Sequence, residues 1–346
     1  MKRNHAFDFL CGVCIIRMMM LHITEVCQLA QEDWWQGVMY WSFFFMSFFF
    51  FKAGYFNKTV SGDSRAYCWD KFKRLMVPYF VWGAIGSVVY FAFAWFVLDP
   101  KNTMVKALAW DHLWTTSKFY GNVPCWFLLS FFCAYIAMHF MVKVRGLRWL
   151  ALTFPLISWW LYTQGNPLWL SLNNVFFGIF LFFLGRVWRW VLQRLSRPTA
   201  LLLSLVLSLL FVYVNMERHG EYEMSDNLWH GDVWWILLST VTSLCGLSGV
   251  LLSVNLPRVP VVNYIGQHSM VFFVAHYPML VFYKMVRSAN GHSLKAHWDD
   301  YILLTAILFG VCFLLVPYVE RVPWLSGRWK KKVETEVPVK ETLKTE

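Results

Sequence analysis

The chain has 346 residues, of which 58% are hydrophobic and 15% charged, against roughly 25% charged in an ordinary soluble domain. These figures exclude a disordered chain, a collagen-like chain and a small disulfide scaffold, and they leave too few charges to cover a water-facing surface. The formal charge of +11 comes with no RNA-recognition, zinc-finger or helix-turn-helix pattern, so no nucleic-acid partner is expected.

A membrane helix uses about 20 apolar residues, and the composition therefore predicts roughly ten spans. They fall in chain order at about 7–27, 38–56, 76–97, 122–142, 149–164, 168–185, 199–215, 233–254, 261–286 and 301–319. Only helices suit these runs, because unpaired backbone groups are too costly in lipid and strand-like alternation is absent from them. The first run follows Lys2 and Arg3 without a small-x-small cleavage pattern, so it reads as an anchor. With the N-terminus inside, 22 Lys and Arg fall on the inner side and 6 on the outer, which puts both termini in the cytoplasm. The expected fold is an all-α, polytopic transmembrane bundle of about ten spans. Residues 1–320 form the membrane domain, and 321–346 form a charged cytoplasmic tail, disordered after Trp329, with Lys330–Lys332 beside anionic lipid. The outer loops are acidic, and the stretch from Glu217 to Asp232 reads as a solvated loop without metal-ligand spacing. The eight Cys, including the Cys11-x-x-Cys14 pair, read as small packing residues, and no metal site is expected.

Titratable groups inside the spans are the first functional candidates, since they are expensive there. The first span holds Asp8, Arg17, His22 and Glu25. His22 and Glu25, three apart, share a helix face about 4.5 Å apart along the axis; Asp8 lies about 21 Å away at the inner mouth. Arg17 is about 140° around from His22 and is expected to serve another contact. Imidazole exchanges protons near neutrality, so His22 reads either as a general base or as a helix–helix hydrogen-bonding group. Glu25 either orients that imidazole or snorkels to the interface. Further on, Lys71, Lys73 and Arg74 precede the third span; they either grip phosphates or act as an inner-side anchor. Near the end, Asn263–Ser269 reads as a turn opening the ninth span, where Pro278 kinks the helix beside His276. His276 serves that kink or a substrate.

The ordered set of these motifs resembles the membrane acyltransferase type-3 family. Asp8-Phe9-Leu10-Cys11-Gly12 followed by His22 resembles its opening, where the family usually has Arg or Lys at the position of Cys11. Segments 43–56, 73–82, 123–132 and 264–278 resemble its later landmarks, so the resemblance spans about residues 5–320. It implies an integral O-acyltransferase of the bacterial cytoplasmic membrane that moves acetyl from cytoplasmic acetyl-CoA onto a hydroxyl of a surface glycan or its lipid-linked precursor. His22 takes the catalytic position, with Glu25 beside it. Lys71, Lys73 and Arg74 handle the CoA co-substrate, and Asp8, Trp126, Ser269, His276 and Tyr277 are the substrate-binding candidates. The rival reading is a transporter or flippase that uses the same buried charges.

Overall fold

The computed structural model describes residues 4–57, 63–97, 110–144, 146–254, 256, 258–289 and 298–329. Lys2, Arg3, Lys58, Lys101, Lys106, Arg145, Lys295 and the tail from Lys330 lie outside the described residues. In chain order the helices are α1 (His5–Val26), α2 (Asp33–Ser42), α3 (Phe45–Phe56), α4 (Ser64–Lys71), α5 (Val77–Val97), α6 (Trp110–Thr116), α7 (Trp126–Lys143), α8 (Phe154–Thr163), α9 (Asn173–Leu192), α10 (Arg197–Glu217), α11 (Val233–Ser253), α12 (Pro260–Gln267), α13 (Ser269–Ala289), α14 (Trp298–Val319) and α15 (Pro323–Ser326). A short hairpin, β1 (Glu221–Glu223) with β2 (Leu228–His230), joins α10 to α11.

Eight helical segments among the described residues are long and apolar enough to cross a membrane, and the chain is a multi-pass membrane protein. The other two expected spans are interrupted. The run 38–56 breaks at Phe43-Phe44 between α2 and α3, and 149–164 is a 3-10 turn (Leu147–Leu152) followed by α8. Pro155 stands in the first turn of α8, where its missing N–H costs least but bars a continuous helix from upstream.

Helix association in lipid gains little from apolar burial alone, so close packing must supply it. Phe48, Phe50, Phe51, Phe177, Phe182 and Phe272 are fully buried, with edge-to-face ring pairs such as Phe50–Phe127 at 5.3 Å. Two glycine crossings set the spacing. A Cβ at Gly54 or Gly185 would overlap the Phe182 or Phe51 carbonyl, so α3 and α9 touch through their backbones. Gly12 and Gly266 do the same for α1 and α12, against Val262 and Asp8.

One end of the bundle is basic. There Arg197 Nε donates to the Ser253 carbonyl at 2.8 Å, Arg189 Nη1 to Tyr55 at 3.3 Å, and Lys143 to Ser64. The opposite end carries Glu25, Glu221, Glu223 and Asp226. Beyond residue 320 the chain keeps packing at the basic end. Trp82 Nε1 donates to the Leu325 carbonyl at 2.9 Å, and Trp329 Nε1 to the Lys73 carbonyl at 3.0 Å. Gly327 allows this turn: its φ is +67°, and it rests on the Arg74 carbonyl, where a Cβ would not fit. Leu325 and Trp329 thus hold this last described stretch against α5 and the turn before it.

Candidate active site

The site begins with the α1–α12 crossing. Asn263 Nδ2 donates to the His5 carbonyl at 2.8 Å, and with the Gly12–Gly266 contact this fixes α12 against α1. His268 interrupts the helix and pairs with Glu320 at 2.5 Å; α13 then starts at Ser269 and climbs beside α1. Pro278 has no N–H for the carbonyl of Val274, four residues back. The buried Asn122 supplies the missing donor, its Nδ2 lying 2.9 Å from that carbonyl.

This arrangement brings His276 and Tyr277 to His22. The two imidazoles stack at 5.4 Å and 21°, and the Tyr277 ring meets His22 edge-on at 5.2 Å. His276 Nδ1 faces the carbonyls of Phe272 and Phe273 at 3.1 and 2.8 Å, so it carries the proton and leaves Nε2 as an acceptor. That Nε2 is buried without a hydrogen-bond partner. His276 thus bonds back to its own helix while its ring stacks on His22. His22 Nδ1 lies 3.2 Å from Glu25 Oε2. A proton on Nδ1 satisfies the carboxylate and leaves the Nε2 lone pair available.

Two cavities meet here. The upper one, about 360 Å³, is lined by His22, Glu25, Tyr277, Trp126, Arg17 and the β1–β2 hairpin. The lower one, about 300 Å³, is lined by Ile15, Lys52, Leu75, Tyr135 and Ser269 among mostly apolar side chains. Met46 and Phe273 belong to the walls of both. From Ile15 to His22 is about 10 Å along α1, so the two cavities lie one above the other along that helix, with Met46 and Phe273 between them.

Arg17 departs from expectation, since it lines the cavity that holds His22. Its Nε donates to Ser42 Oγ at 3.1 Å, its Nη2 contacts Met39 Sδ at 2.7 Å, and its guanidinium sits 3.8 Å over the Phe45 ring. Its Nη1 is buried with no hydrogen-bond partner. Its place about 140° around α1 from His22 thus gives it contacts on α2 and α3 and still a share of the cavity wall. The acidic stretch is also not a plain solvated loop. Glu221 pairs with His230, and Tyr222 with Trp229, whose rings pack on Phe177 at 4.2 and 5.4 Å. Asn227 Oδ1 accepts from Ser158 Oγ at 2.5 Å and from Tyr222 Oη at 2.8 Å, which ties the turn to α8. Glu221, Glu223, Ser225 and Asp226 then face the upper cavity. Lys118 Nζ bridges to Asp226 at 2.5 Å. Burial pushes the Asp226 carboxyl up, but the hydrogen bonds from Lys118 and Ser225 outweigh it and hold the group below its usual range.

The remaining candidates are spread out. Trp126 and Tyr277 line the upper cavity and Ser269 the lower. Asp8 is buried at the α1–α12 crossing and lines neither. A π-helical turn, Phe72–Met76, joins α4 to α5 just after Lys71 and includes Arg74. Lys71 Nζ sits 4.2 Å over Tyr135, itself a wall of the lower cavity, whereas Arg74 Nε pairs with Asp70 at 2.9 Å and Lys73 lies 5.6 Å from the Trp329 ring. Lys52 was not expected in the site. From α3 its Nζ reaches Cys11 Sγ at 2.8 Å, bringing a cation beside the position where the resemblance implied a basic residue. Among the described residues no His, Cys, Asp and Glu group is arranged to hold a metal ion.

The chain matches none of the curated proteins or solved structures compared with it. Residues 4–317 match the acyltransferase domain family over a region that contains both cavities, and the chain therefore belongs to the membrane acyltransferase type-3 family.

Proposed function

We propose that the chain is an O-acyltransferase that moves acetyl from acetyl-CoA, entering at the basic, cytoplasmic end, onto a hydroxyl of a surface glycan or its lipid-linked precursor. The observation that carries this reading is His22 in the wall of one of two neighbouring cavities of opposite character, which share Met46 and Phe273. The lower one, narrow and apolar, suits the pantetheine arm; Lys52 and Lys71 supply positive charge along it. The upper one has carboxylates and a hydroxyl from the hairpin, which suit a polyhydroxyl acceptor. Membership of an acyltransferase family favours chemistry over transport. The setting is the bacterial cytoplasmic membrane.

In the proposed reaction His22 Nε2 removes the proton from the acceptor hydroxyl while Glu25 holds Nδ1–H. The hydroxyl oxygen attacks the thioester carbonyl, and the carbonyl oxygen becomes an oxyanion. The unused Nη1–H of Arg17 is the donor in the same cavity that can meet it; such a donor is typically worth about 10²–10³-fold. Collapse breaks the C–S bond, and the imidazolium returns its proton to the departing sulfur as the CoA thiol. A positioned base contributes about 10²–10⁴-fold. The test is mass spectrometry of surface glycans from cells with and without the gene. A glycan that loses one acetyl group without the gene is the expected result. Identical acetylation of glycans and lipid-linked precursors in both would refute the proposal.

A further inference from the structure

A third cavity, about 640 Å³, lies at the basic end between α3, α9 and the 3-10 turn before α8. Its walls include Arg148, Arg186 and Arg189, flanked by Trp149 and Trp190, and among the described residues no carboxylate lines it. Arg186 Nη1 and Arg189 Nη1 point to the carbonyls of Asn57 and Tyr55 at 3.5 and 3.3 Å, at the C-terminal end of α3. That helix end offers Arg189 only partial negative charge, about half an elementary charge, and Arg148 lies over the Trp149 ring at 5.7 Å. The aromatic flanks are open to lipid: Trp149 is 53% and Trp190 55% exposed, and exposed Leu150 and Leu152 continue the same turn. Guanidinium groups below an aromatic, apolar rim match a phosphate with acyl chains attached. The cavity is not part of the proposed donor passage. Gly54 and Asn57 line it, whereas Ala53 and Phe56, on another face of α3, line the lower cavity.

We propose that this cavity binds a phosphate group, in the first place the phosphodiester of an anionic phospholipid of the adjoining leaflet. A soluble nucleotide phosphate offers the same chemistry. Both sources can be tested on the purified full chain by native mass spectrometry, titrating phosphatidylglycerol, phosphatidylcholine and adenosine 3′,5′-bisphosphate. The expected result is retention of phosphatidylglycerol over phosphatidylcholine by at least about tenfold. That preference should be lost in Arg148→Gln/Arg189→Gln and kept in Arg148→Lys/Arg189→Lys. Arg148→Gln alone covers the case in which the double variant does not fold, because the contact of Arg148 is with the neighbouring Trp149 ring at 5.7 Å rather than with a helix end. Arginine-dependent binding of the bisphosphate without lipid preference would keep the phosphate site and assign it to a soluble source. Equal retention of the two lipids with no bisphosphate bound, or binding unchanged by the Gln substitutions, would overturn the proposal.

Discussion

Replacing Glu25 with Gln keeps the length of the side chain and an oxygen that can accept from His22 Nδ1–H, and removes only the charge. The two groups are 3.2 Å apart. Unit charges at that distance interact by about 1.3 kcal/mol in water and by about 5 kcal/mol at an effective dielectric of about 20. The Glu25 side chain is 53% exposed and that of His22 16%, so solvent screening holds the coupling near the lower end, at about 1.5–2 kcal/mol. The coupling matters when His22 becomes an imidazolium, in the transition state rather than with substrate merely bound. Glu25→Gln should therefore lower kcat about 10–30-fold and leave the KM for acetyl-CoA unchanged. The assay is release of the CoA thiol by purified protein with an acceptor glycan. A kcat within about twofold of the parent would show that Glu25 only anchors the helix at the interface, and the orienting role would fall.

Arg17→Met keeps most of the buried volume and removes the unused donor; kcat should fall by about 10²-fold with the thermal midpoint unchanged or raised, since a buried cation disappears. Full activity would refute the role of Arg17 as the carbonyl donor. Ser269→Trp fills the lower cavity and should raise the KM for acetyl-CoA at least about tenfold in the same assay, with thermal melting as the folding control. An unchanged KM would mean that the donor takes another route. Gly185→Ala drives a methyl into the Phe51 carbonyl and should cost at least about 2 kcal/mol, read as a lower melting temperature in detergent.

Eight spans were legible because apolar runs of about 20 residues have one solution in lipid. The two broken spans were less so. Pro155 lies inside one of them and was passed over in the apolar run, and nothing local distinguishes Phe43-Phe44 from the aromatic run around it. Within the site, the His22–Glu25 pair was readable from its spacing, and Pro278 pointed to a missing backbone hydrogen bond near His276. The stacking of His276 on His22 was not readable, since it depends on the Gly12–Gly266 crossing between segments some 250 residues apart. Asn122 is the missing donor for the Val274 carbonyl only once α13 is in place. The hairpin did leave a signal. Glu221-Tyr-Glu and Leu228-Trp-His alternate with period two around a Met-Ser-Asp-Asn turn, and the density of charge hid the buried Tyr222 and Trp229. The π turn at Phe72–Met76 has no composition cue at all.

The most direct measurement compares acetyl transfer by purified protein, reconstituted in lipid, between the parent and His22→Ala, with thermal melting and CoA binding measured on the same samples. The expected result is loss of turnover by at least about 10²-fold with melting and CoA binding intact. Turnover at the parental rate in the folded variant would remove His22 from the chemistry and with it the meaning given to the two cavities.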